Sequence, residues 1–538
     1  ADPRFALTED NVDAVVDICR RLDGIALAIE LAAARVPLLG VEGLRARLDE
    51  RFRVLTGGAR LALRRHQTLR AALDWSHGLL TSAEQTVFRR LGVFVGSFGL
   101  ASAMRVAGDE RIDEWAVLDQ LGALVDKSLV MAETGADPRY RLLETSRAFA
   151  FDKLQEARET ESMLRRHAEA TLAVFEASRH DEHVLTSQAR LDRYLPDLDN
   201  GRAALDWSER EAHDLHLALA AAMAWIWYDA ALRPEGMRRT RHALGKIAPA
   251  TPPRLEASLQ GAWSALAYPQ TGPEEIAANE RAVLLWRALG ARAELYEALC
   301  AQTVPLAYRG RFDEAERALQ EAAGLIDAAW PAAARNPLLR GRYTLAKARG
   351  DFKGALAVAE EHFRLCTGAG DARRSLRALI SREVCQAALG RLEESEALGR
   401  EMQARMQRDP SLRSGNANLV LSNLCYTLTR LGKIDEALAM ARIVYPLVDR
   451  MGRLSESLDP FANLTLRRGR AHDAARMIGR ADLRFATGSI TREPVEQGMR
   501  DETLAQLKDE LPADELARLL AEGGALSDEE AVRLALRE

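Results

Sequence analysis

Apolar residues recur along most of this chain at intervals of three and four positions, the spacing that places them on one face of an α-helix. Near the start, Val12, Val16 and Cys19 follow this spacing after Thr8, a residue type that caps helix N-termini. Runs of β-branched residues, which favour strands, are rare by comparison. The pattern therefore predicts a protein that is mainly all-α.

One region in the first third of the chain interrupts the helical pattern with short apolar runs around a turn rich in Gly, Asp and Pro. The predicted elements are, in order, a helix begun by a capping box at residues 81–84, a helix over 115–124, strands at 128–131 and 140–143, and a helix over 145–157. Helices followed by a β-hairpin are the order of a winged helix, so we expect that domain here.

A local signature recurs six times between about residue 250 and residue 495: a Gly, and a small residue five positions later. The pairs are Gly272 and Ala277, Gly310 and Ala315, Gly350 and Ala355, Gly390 and Ser395, Gly432 and Ala437, and Gly469 and Ala474. They follow one another at intervals of 38, 40, 40, 42 and 37 residues. Because Gly ends helices and a small side chain lets the next helix approach closely, the signature predicts a solenoid of helical hairpins.

The concave face of such a solenoid is the expected place for a protein or small-molecule effector. Polar residues on the first helices of the hairpins are the candidates for contact with it: Arg382, Glu383, Asn423 and Tyr426. The alternative interpretation of each is a solvated helix face.

Composition narrows the functional classes. The chain has 538 residues, which is too long for one core, and its net charge of −5 gives no general case for nucleic-acid or membrane binding. The five cysteines form no Cys-x-x-Cys pair, and no apolar run has transmembrane length. We therefore expect a reduced, cytoplasmic protein of several domains that does not enter a membrane.

The motifs of common enzymes are missing from the sequence. A phosphate-binding loop needs Gly-x-x-x-x-Gly-Lys-Ser/Thr, and no such string occurs. Two His-x-x-His pairs, His180 with His183 and His213 with His216, have the spacing of metal ligands but no third partner, so we interpret them as surface residues. The prediction is that the chain alone is no enzyme and binds no metal.

Several blocks resemble the STAND, or NB-ARC-like, signalling ATPases, in the branch that regulates bacterial transcription. Residues 19–33 (CRRLDGIALAIELAA) resemble their "GLPLA" segment, and residues 65–76 (RHQTLRAALDWS) resemble the block that follows it. Residues 124–129 (LVDKSL) and 139–145 (RYRLLET) resemble the winged helix that ends in their "MHD" motif. The repeat signature is similar to the tetratricopeptide turn, with a longer period.

The resemblance implies a nucleotide switch in which a P-loop domain binds ATP or ADP and the winged helix folds over it. The family's nucleotide-sensing positions correspond to Gly24, Ala26, Leu143 and Glu144. Ala26 stands where relatives have Pro, and Leu143 where they have His, and a leucine cannot donate a hydrogen bond to phosphate. We therefore expect no cofactor in this chain, and ATP or ADP only through a P-loop domain upstream of residue 1.

The predicted organisation has five parts. They are a helical domain of a STAND-type ATPase at 1–75, a winged helix at 76–160, a helical linker at 161–250, tetratricopeptide-like repeats at 251–495 and a C-terminal helical cap at 496–538. The function expected from this order is that of a sensor module: the repeats bind an effector, and the winged helix couples to the upstream ATPase domain.

Two alternatives remain open at this point. One is a constitutive scaffold that assembles proteins without a switch. The other is DNA binding through the winged helix, favoured by a basic patch at Arg60, Arg64, Arg65 and Arg70. Against it, the resemblance implies that this winged helix is a clamp and that DNA is bound by a separate domain.

Overall fold

The computed structural model describes most of the chain. The described residues are 7–21, 24, 29, 33, 36–47, 69–133, 135, 137–267, 273–413, 416–450, 454–487 and 492–537. Two predicted site residues, Ala26 and Gly272, lie outside this set, and so do Arg60, Arg64 and Arg65 of the basic patch.

The chain is mainly helical, as predicted. The elements before the repeats are α1 Glu9–Arg21, α2 Val36–Arg47, α3 Leu69–Gly78, α4 Ser82–Leu91, β1 Phe98–Gly99, α5 Leu100–Ala107, α6 Glu114–Asp126, β2 Met131–Glu133, β3 Arg139–Arg141, α7 Glu144–Glu156, α8 Thr160–His180, α9 Ser187–Tyr194, α10 Leu198–Glu211, α11 His213–Ala222, α12 Ala224–Asp229 and α13 Arg233–Leu244. The repeats and the C-terminal part follow as α14 Pro253–Ala267, α15 Pro273–Ala288, α16 Arg292–Tyr308, α17 Phe312–Leu325, α18 Asn336–Ala348, α19 Phe352–Gly368, α20 Ala372–Ala388, α21 Leu392–Arg408, α22 Ala417–Arg430, α23 Ile434–Arg450, α24 Leu458–Arg467, α25 Ala471–Thr487, α26 Pro494–Glu510, α27 Ala513–Gly524 and α28 Asp528–Leu536.

These elements form two compact units. The first comprises residues 1–175 and 196–219, and the second comprises residues 176–195 and 220–538. No helix in the described part of the chain has both the length and the apolar character needed to cross a bilayer.

The first unit contains a small antiparallel sheet in the order β1-β3-β2, with helices α4 to α7 around it. Its core is aromatic: Phe88, Phe98 and Phe149 are fully buried. The capping box predicted at Thr81 is present, because Thr81 and Glu84 each accept the other's backbone N–H. A capped first helix and a closed aromatic core explain why this short region folds compactly.

The predicted hairpin was displaced from the observed one. Its first strand begins at Met131 rather than at residue 128, because Ser128 has φ 57° and turns the chain after α6. The second strand ends at Arg141, and Leu142 is buried in the core. Strand β1 and helix α5 were not predicted. A two-residue strand such as β1 is too short to show an alternating pattern.

Polar contacts join α8 and α10 to the winged helix within this unit. Asn200 donates a hydrogen bond to the carbonyl of Ser97 at 2.8 Å, and Arg139 on β3 pairs with Asp197 at 2.8 Å. His167 lies 3.3 Å from the Asn200 side chain, and burial lowers the pKa of His167 to about 4. A neutral histidine and a buried ion pair therefore fix the start of α10 against the sheet.

The second unit is built from helical hairpins. We call their first helices A helices (α14, α16, α18, α20, α22 and α24) and their second helices B helices (α15, α17, α19, α21, α23 and α25). Each A helix packs on its own B helix, and A helices of successive pairs, such as α22 and α24, also contact each other. Helix α26 packs beside α24 in the next A position. We call the face formed by the A helices and α26 the inner face of the array.

The predicted Gly positions end the A helices in a left-handed conformation. Gly310, Gly350, Gly390, Gly432 and Gly469 have φ between 71° and 78°. At Gly390 the turn is closed by two hydrogen bonds, from Gly390 N to Ala387 O at 3.1 Å and from Arg391 N to Gln386 O at 2.9 Å. This pair of bonds satisfies helix carbonyls in the manner of a Schellman motif, which requires a residue that tolerates positive φ.

The small residues of the signature are buried in five of the six repeats. Ala315, Ala355, Ser395, Ala437 and Ala474 have no exposed surface. Ala277 does not follow them: it is exposed, and its neighbour Ala278 is buried instead. The reason is register, because α15 begins one residue after position 272, whereas the other B helices begin two residues after their Gly.

Four of the five cysteines are small buried thiols. All five are free, and Cys300, Cys366, Cys385 and Cys425 are buried within the second unit. Burial raises the pKa of each of these four thiols to about 12. They are therefore poor nucleophiles and serve as packing residues.

The left-handed glycine turn predicts a specific stability difference. Replacing Gly390 by Ala should lower the free energy of unfolding by about 1 kcal/mol, because an L side chain is strained at φ 78°. Gly498→Ala is the matched control, since Gly498 lies inside α26 with open space around its Cα. That change should leave stability unchanged or raise it, and urea unfolding midpoints measure both. Equal effects of the two substitutions would contradict the role given to the turn.

Candidate ligand pocket on the inner face of the repeat array

A cavity of about 140 Å³ opens on the inner face between three A helices and α26. Its walls come from α20, α22, α24 and the start of α26; the residues that matter here are Glu383, Val384, Ala387, Ser422, Asn423, Tyr426, Phe461, Glu493, Val495 and Met499. Three of the four predicted contact residues, Glu383, Asn423 and Tyr426, therefore meet at one place. Arg382 does not join them, because its guanidinium lies over the ring of Phe363 at 5.3 Å.

Glu383 is a fully buried acid at this cavity. Asn423 Nδ2 donates a hydrogen bond to Glu383 Oε2 at 2.9 Å, and Glu383 Oε1 has no hydrogen-bond partner. Burial raises the pKa of Glu383 well above its ordinary value, which favours the protonated carboxylic acid. A neutral acid carries a hydroxyl donor, and a buried polar atom without a partner calls for a functional explanation.

Helix α21, the B helix that pairs with α20, lies against the same acid. A Cβ atom at Gly399 would lie 3.3 Å from Glu383 Oε1 and 3.0 Å from Leu424 Cδ1. The absence of a side chain at Gly399 thus leaves the room that the carboxyl group occupies. The acid is held in place by backbone packing on one side and by Asn423 on the other.

The remaining walls are largely apolar. Ala387, Tyr426 and Met499 form a small buried cluster with Val495 packed against it. At the edge, Lys347 on α18 donates to Glu493 Oε2 at 2.7 Å, which ties the start of α26 to an A helix four positions earlier in the array. A cavity of ~150 Å³ with apolar walls is large enough for a benzene-sized group. The pocket therefore fits one side chain or small ring, with hydrogen-bonding groups at its inner end.

Three of the predicted nucleotide-sensing positions, Gly24, Leu143 and Glu144, are described and lie in the first unit. Gly24 follows α1 with φ 66°, and its N–H donates to Cys19 O at 3.0 Å. Leu143 is at the N-cap of α7 without a side-chain hydrogen bond, and Glu144 pairs with Arg147 at 2.9 Å. Nucleotide sensing by these residues stays a prediction.

The two histidine pairs have other roles in the structure. His183 Nε2 lies 3.3 Å from Glu297 Oε1, and the buried His216 places Nδ1 3.2 Å from the carbonyl of Leu205. His180 and His213 are exposed. Across the described ranges, no three His, Cys, Asp or Glu side chains are grouped so as to hold a metal ion.

The charges of the winged helix disfavour contact with DNA. Helix α6, the second helix of the helix-turn-helix, carries three acids, Glu114, Asp119 and Asp126, and no Lys or Arg. The hairpin arginines are paired, Arg139 with Asp197 and Arg141 with Glu133. A helix with this charge would be repelled by the phosphates that flank the major groove.

Sequence reasoning missed the residues that α26 adds to the pocket, Glu493, Val495 and Met499. They lie outside the Gly signature and were assigned to the end of the repeats and the cap. The signal that was available is Glu493-Pro-Val-Glu496, a helix start of the capping-box type, which the structure shows with both reciprocal hydrogen bonds.

Comparison with known protein families supports the assignment of a winged helix within the first unit. Residues 80–155 match the family described as the winged helix-turn-helix domain. This segment is a winged helix-turn-helix domain. The prediction of a winged helix is therefore confirmed.

Two proteins of Mycobacterium tuberculosis are similar to parts of this chain. A protein of Mycobacterium tuberculosis named as an HTH-type transcriptional regulator is 36% identical over 418 residues, which is 75% of this chain and 46% of that protein. An uncharacterized protein of the same species is 43% identical over 165 residues, 30% of this chain and 42% of that protein. The chain thus spans less than half the length of these relatives, and its resemblance to bacterial transcriptional regulators is confirmed.

Solved structures align with this chain at lower sequence identity. A STAND protein with a tetratricopeptide repeat sensor from Pyrococcus horikoshii aligns with a TM-score of 0.42 and 11% identity, over 89% of this chain and 74% of that one. A Rap protein complexed with Competence and Sporulation Factor aligns with a TM-score of 0.44 and 13% identity, over 66% of this chain and 99% of that one.

The buried acid predicts a pH-dependent stability. Because the pKa of Glu383 is raised in the folded state, the unfolded chain ionises first, and stability is lost as pH rises from about 4.5 towards the folded pKa. Glu383→Gln keeps the acceptor for Asn423 and removes this loss, so the free energy of unfolding of the variant should rise relative to that of the parent between pH 5 and pH 8. Unfolding midpoints at pH 5 and pH 8 measure the difference.

Glu360→Gln is the control for that comparison, because Glu360 is exposed on α19. It should change stability little at either pH. A Glu383→Gln variant that loses as much stability at pH 8 as at pH 5 would show that the acid is ionised and held by partners.

The charge pattern of α6 also predicts the result of a DNA-binding assay. The full chain should give no mobility shift with short DNA duplexes even at low salt, because phosphate attraction is strongest there and α6 offers only acids. A shift at low salt that disappears as salt is raised would contradict this and restore the DNA-binding alternative.

Proposed function

We propose that this chain is the sensor part of a bacterial transcriptional regulator: its repeats bind an effector in the pocket at Glu383, and its winged helix passes the signal to an ATPase domain in a longer protein. The observation that supports the proposal most directly is the pocket itself. It combines a partly unsatisfied buried acid with apolar walls on the inner face of the array.

The shape of the cavity favours a peptide or protein segment as effector. At about 140 Å³ it is smaller than the roughly 300–1,000 Å³ of sites that enclose whole small molecules. A cavity of this size takes a single side chain while the rest of the ligand lies along the A helices. The Glu383 carboxyl group and the Asn423 amide then give hydrogen-bond specificity at its inner end.

The winged helix is the proposed coupling element. Its acidic α6 is unsuited to DNA, which leaves its surface for contact within the protein. Asn200, Asp197 and Arg139 tie α10 to the sheet, so a displacement of α10 changes the sheet's hydrogen bonds directly. In this proposal nucleotide binding and hydrolysis belong to the longer protein, and the chain by itself has no enzymatic activity.

A peptide selection on the full chain tests the pocket. Random heptapeptides displayed on phage are selected on the immobilised protein, and the selected peptides are then synthesised and titrated. Ser422→Trp should weaken their binding at least about tenfold, because Ser422 lines the cavity and an indole would fill it.

Glu394→Trp is the matched control, since Glu394 is exposed on the B helix α21. It places the same bulky side chain on the outer face and should leave affinity unchanged. Equal affinity for Ser422→Trp and the parent would overturn the pocket as the effector site and favour a scaffold that binds through another surface.

A further inference from the structure

A second feature of the inner face lies outside the pocket: three arginines around one tyrosine. Arg377 on α20 donates to Tyr228 Oη at 3.1 Å, and the guanidinium carbons of Arg377 and Arg233 lie 5.6 and 5.7 Å from the Tyr228 ring centroid. Arg340 on α18 acts on the same phenol electrostatically. We call Tyr228, Arg233, Arg340 and Arg377 the arginine cluster.

Several elements of the second unit converge to form it. Tyr228 belongs to α12, which precedes the repeats, and α9 reaches the same A helix, where the Ser187 backbone N–H and hydroxyl both bind the Asp371 carboxylate at 2.9 and 3.0 Å. Arg373 also donates to the carbonyl of Asp229 at 3.3 Å. These contacts fix the positions of α9 and α12 against α20, so the cluster is preorganised.

Part of the positive charge of the cluster has no ion-pair partner, although Asp229 acts on Arg377 electrostatically. Among the residues that the structure describes, neither Arg340 nor Arg377 has a carboxylate within ion-pair distance. The nearby Asp229 carboxylate forms an ion pair with Arg190 at 2.5 Å. Arg233 donates hydrogen bonds to the backbone carbonyl of Leu266. Both Arg340 and Arg377 are exposed to water, so a ligand can reach them.

The pKa values of two side chains reflect the positive electrostatic potential around the arginine cluster. Arg377, together with Arg340 and Arg233, lowers the pKa of Tyr228 to about 7 against the effect of burial. Burial lowers the pKa of His362 to about 4, and Arg340 and Arg374 contribute to that lowering. A site that acidifies a phenol by several units favours anions strongly.

We propose that the arginine cluster binds an anionic oxygen group, a carboxylate or a phosphate, carried by the effector. Guanidinium groups suit this role because their planar donors match both kinds of anion. The proposal rests on the proposed function only in assigning the group to the effector; anion binding by the cluster can be measured by itself.

The cluster and the pocket lie on one face of one helix. Val384, which lines the pocket, follows Arg377 by two helical turns, a spacing that keeps both on the same side of α20. At ~1.5 Å per residue the separation is about 10 Å, which roughly three residues of extended peptide span. An effector with an acidic group about three residues from its anchoring side chain fits both places at once.

Titration with simple anions tests the assignment on the full chain. Inorganic phosphate and succinate are added separately at constant ionic strength maintained with sodium chloride, and binding is followed by calorimetry and by tyrosinate absorbance near neutral pH. A bound anion offsets the field of Arg340 and Arg377, so it should lower the tyrosinate fraction by about twofold or more. Tyr228→Phe should abolish the absorbance change.

Variants decide whether the cluster is responsible. Arg377→Gln and Arg340→Gln should each weaken phosphate or succinate binding about tenfold, whereas Arg377→Lys, which keeps the charge, should weaken it less. Arg349→Gln is the control, since Arg349 is paired with Glu316 elsewhere on the array. Circular dichroism confirms that each variant is folded.

The anion with the greater affinity identifies the ligand as a phosphate or a carboxylate, and either supports the proposal. No response beyond that to chloride, or equal binding by the parent and both Gln variants, would overturn it. Ser422→Trp should bind these anions normally, so failure of the peptide selection and failure of the cluster are distinguishable.

Discussion

The left-handed turn that ends five of the A helices is the constraint on which the repeat array depends. At Gly310, Gly350, Gly390, Gly432 and Gly469 the chain reverses with nearly the same φ, so each B helix returns against its A helix in the same way. The fully buried small residue that follows lets the two helices approach closely. Repetition of this geometry sets the A helices beside one another, and the inner face consists of their side chains. A pocket lined by α20, α22, α24 and α26 exists only because that arrangement is kept over successive repeats.

The inner face departs from the chemistry of an ordinary helix interface. Glu383 is a buried acid with one unsatisfied oxygen, which costs stability unless something compensates. Two helical turns away the same helix contributes Arg377 to the arginine cluster, in which neither Arg340 nor Arg377 forms an ion pair with any carboxylate of the described residues. Neither feature helps the array to fold. Both are explained if the inner face is completed by a ligand that brings an acceptor to the acid and an anion to the arginines, so that part of the binding energy comes from satisfying groups the free protein leaves exposed or unpaired.

The sequence was informative where the structure is local and periodic. The capping boxes at Thr81 and Ser527, the glycine turns and the buried small residues could all be predicted, because each depends on residues within one hairpin. The prediction that Ala277 is buried was wrong, because a helix that starts one residue early rotates every side chain after it. Glu383, Asn423 and Tyr426 could be proposed as candidates, but their meeting point could not, nor could the part played by Met499 or Tyr228. Those contacts join segments far apart in the chain, and only the packing of the hairpins determines them.

The central claim is that the inner face of the array is the ligand-binding surface. Hydrogen–deuterium exchange of the full chain, with and without a saturating peptide selected on it, tests this most directly. The account predicts slower exchange in Ala417–Arg430 and Pro494–Glu510, which line the pocket, and in Ala372–Ala388, which links the pocket to the arginine cluster. It predicts no change in the B helix Leu392–Arg408 beyond the turn that contacts Glu383. Protection confined to the B helices, or to the winged helix-turn-helix domain, would contradict it.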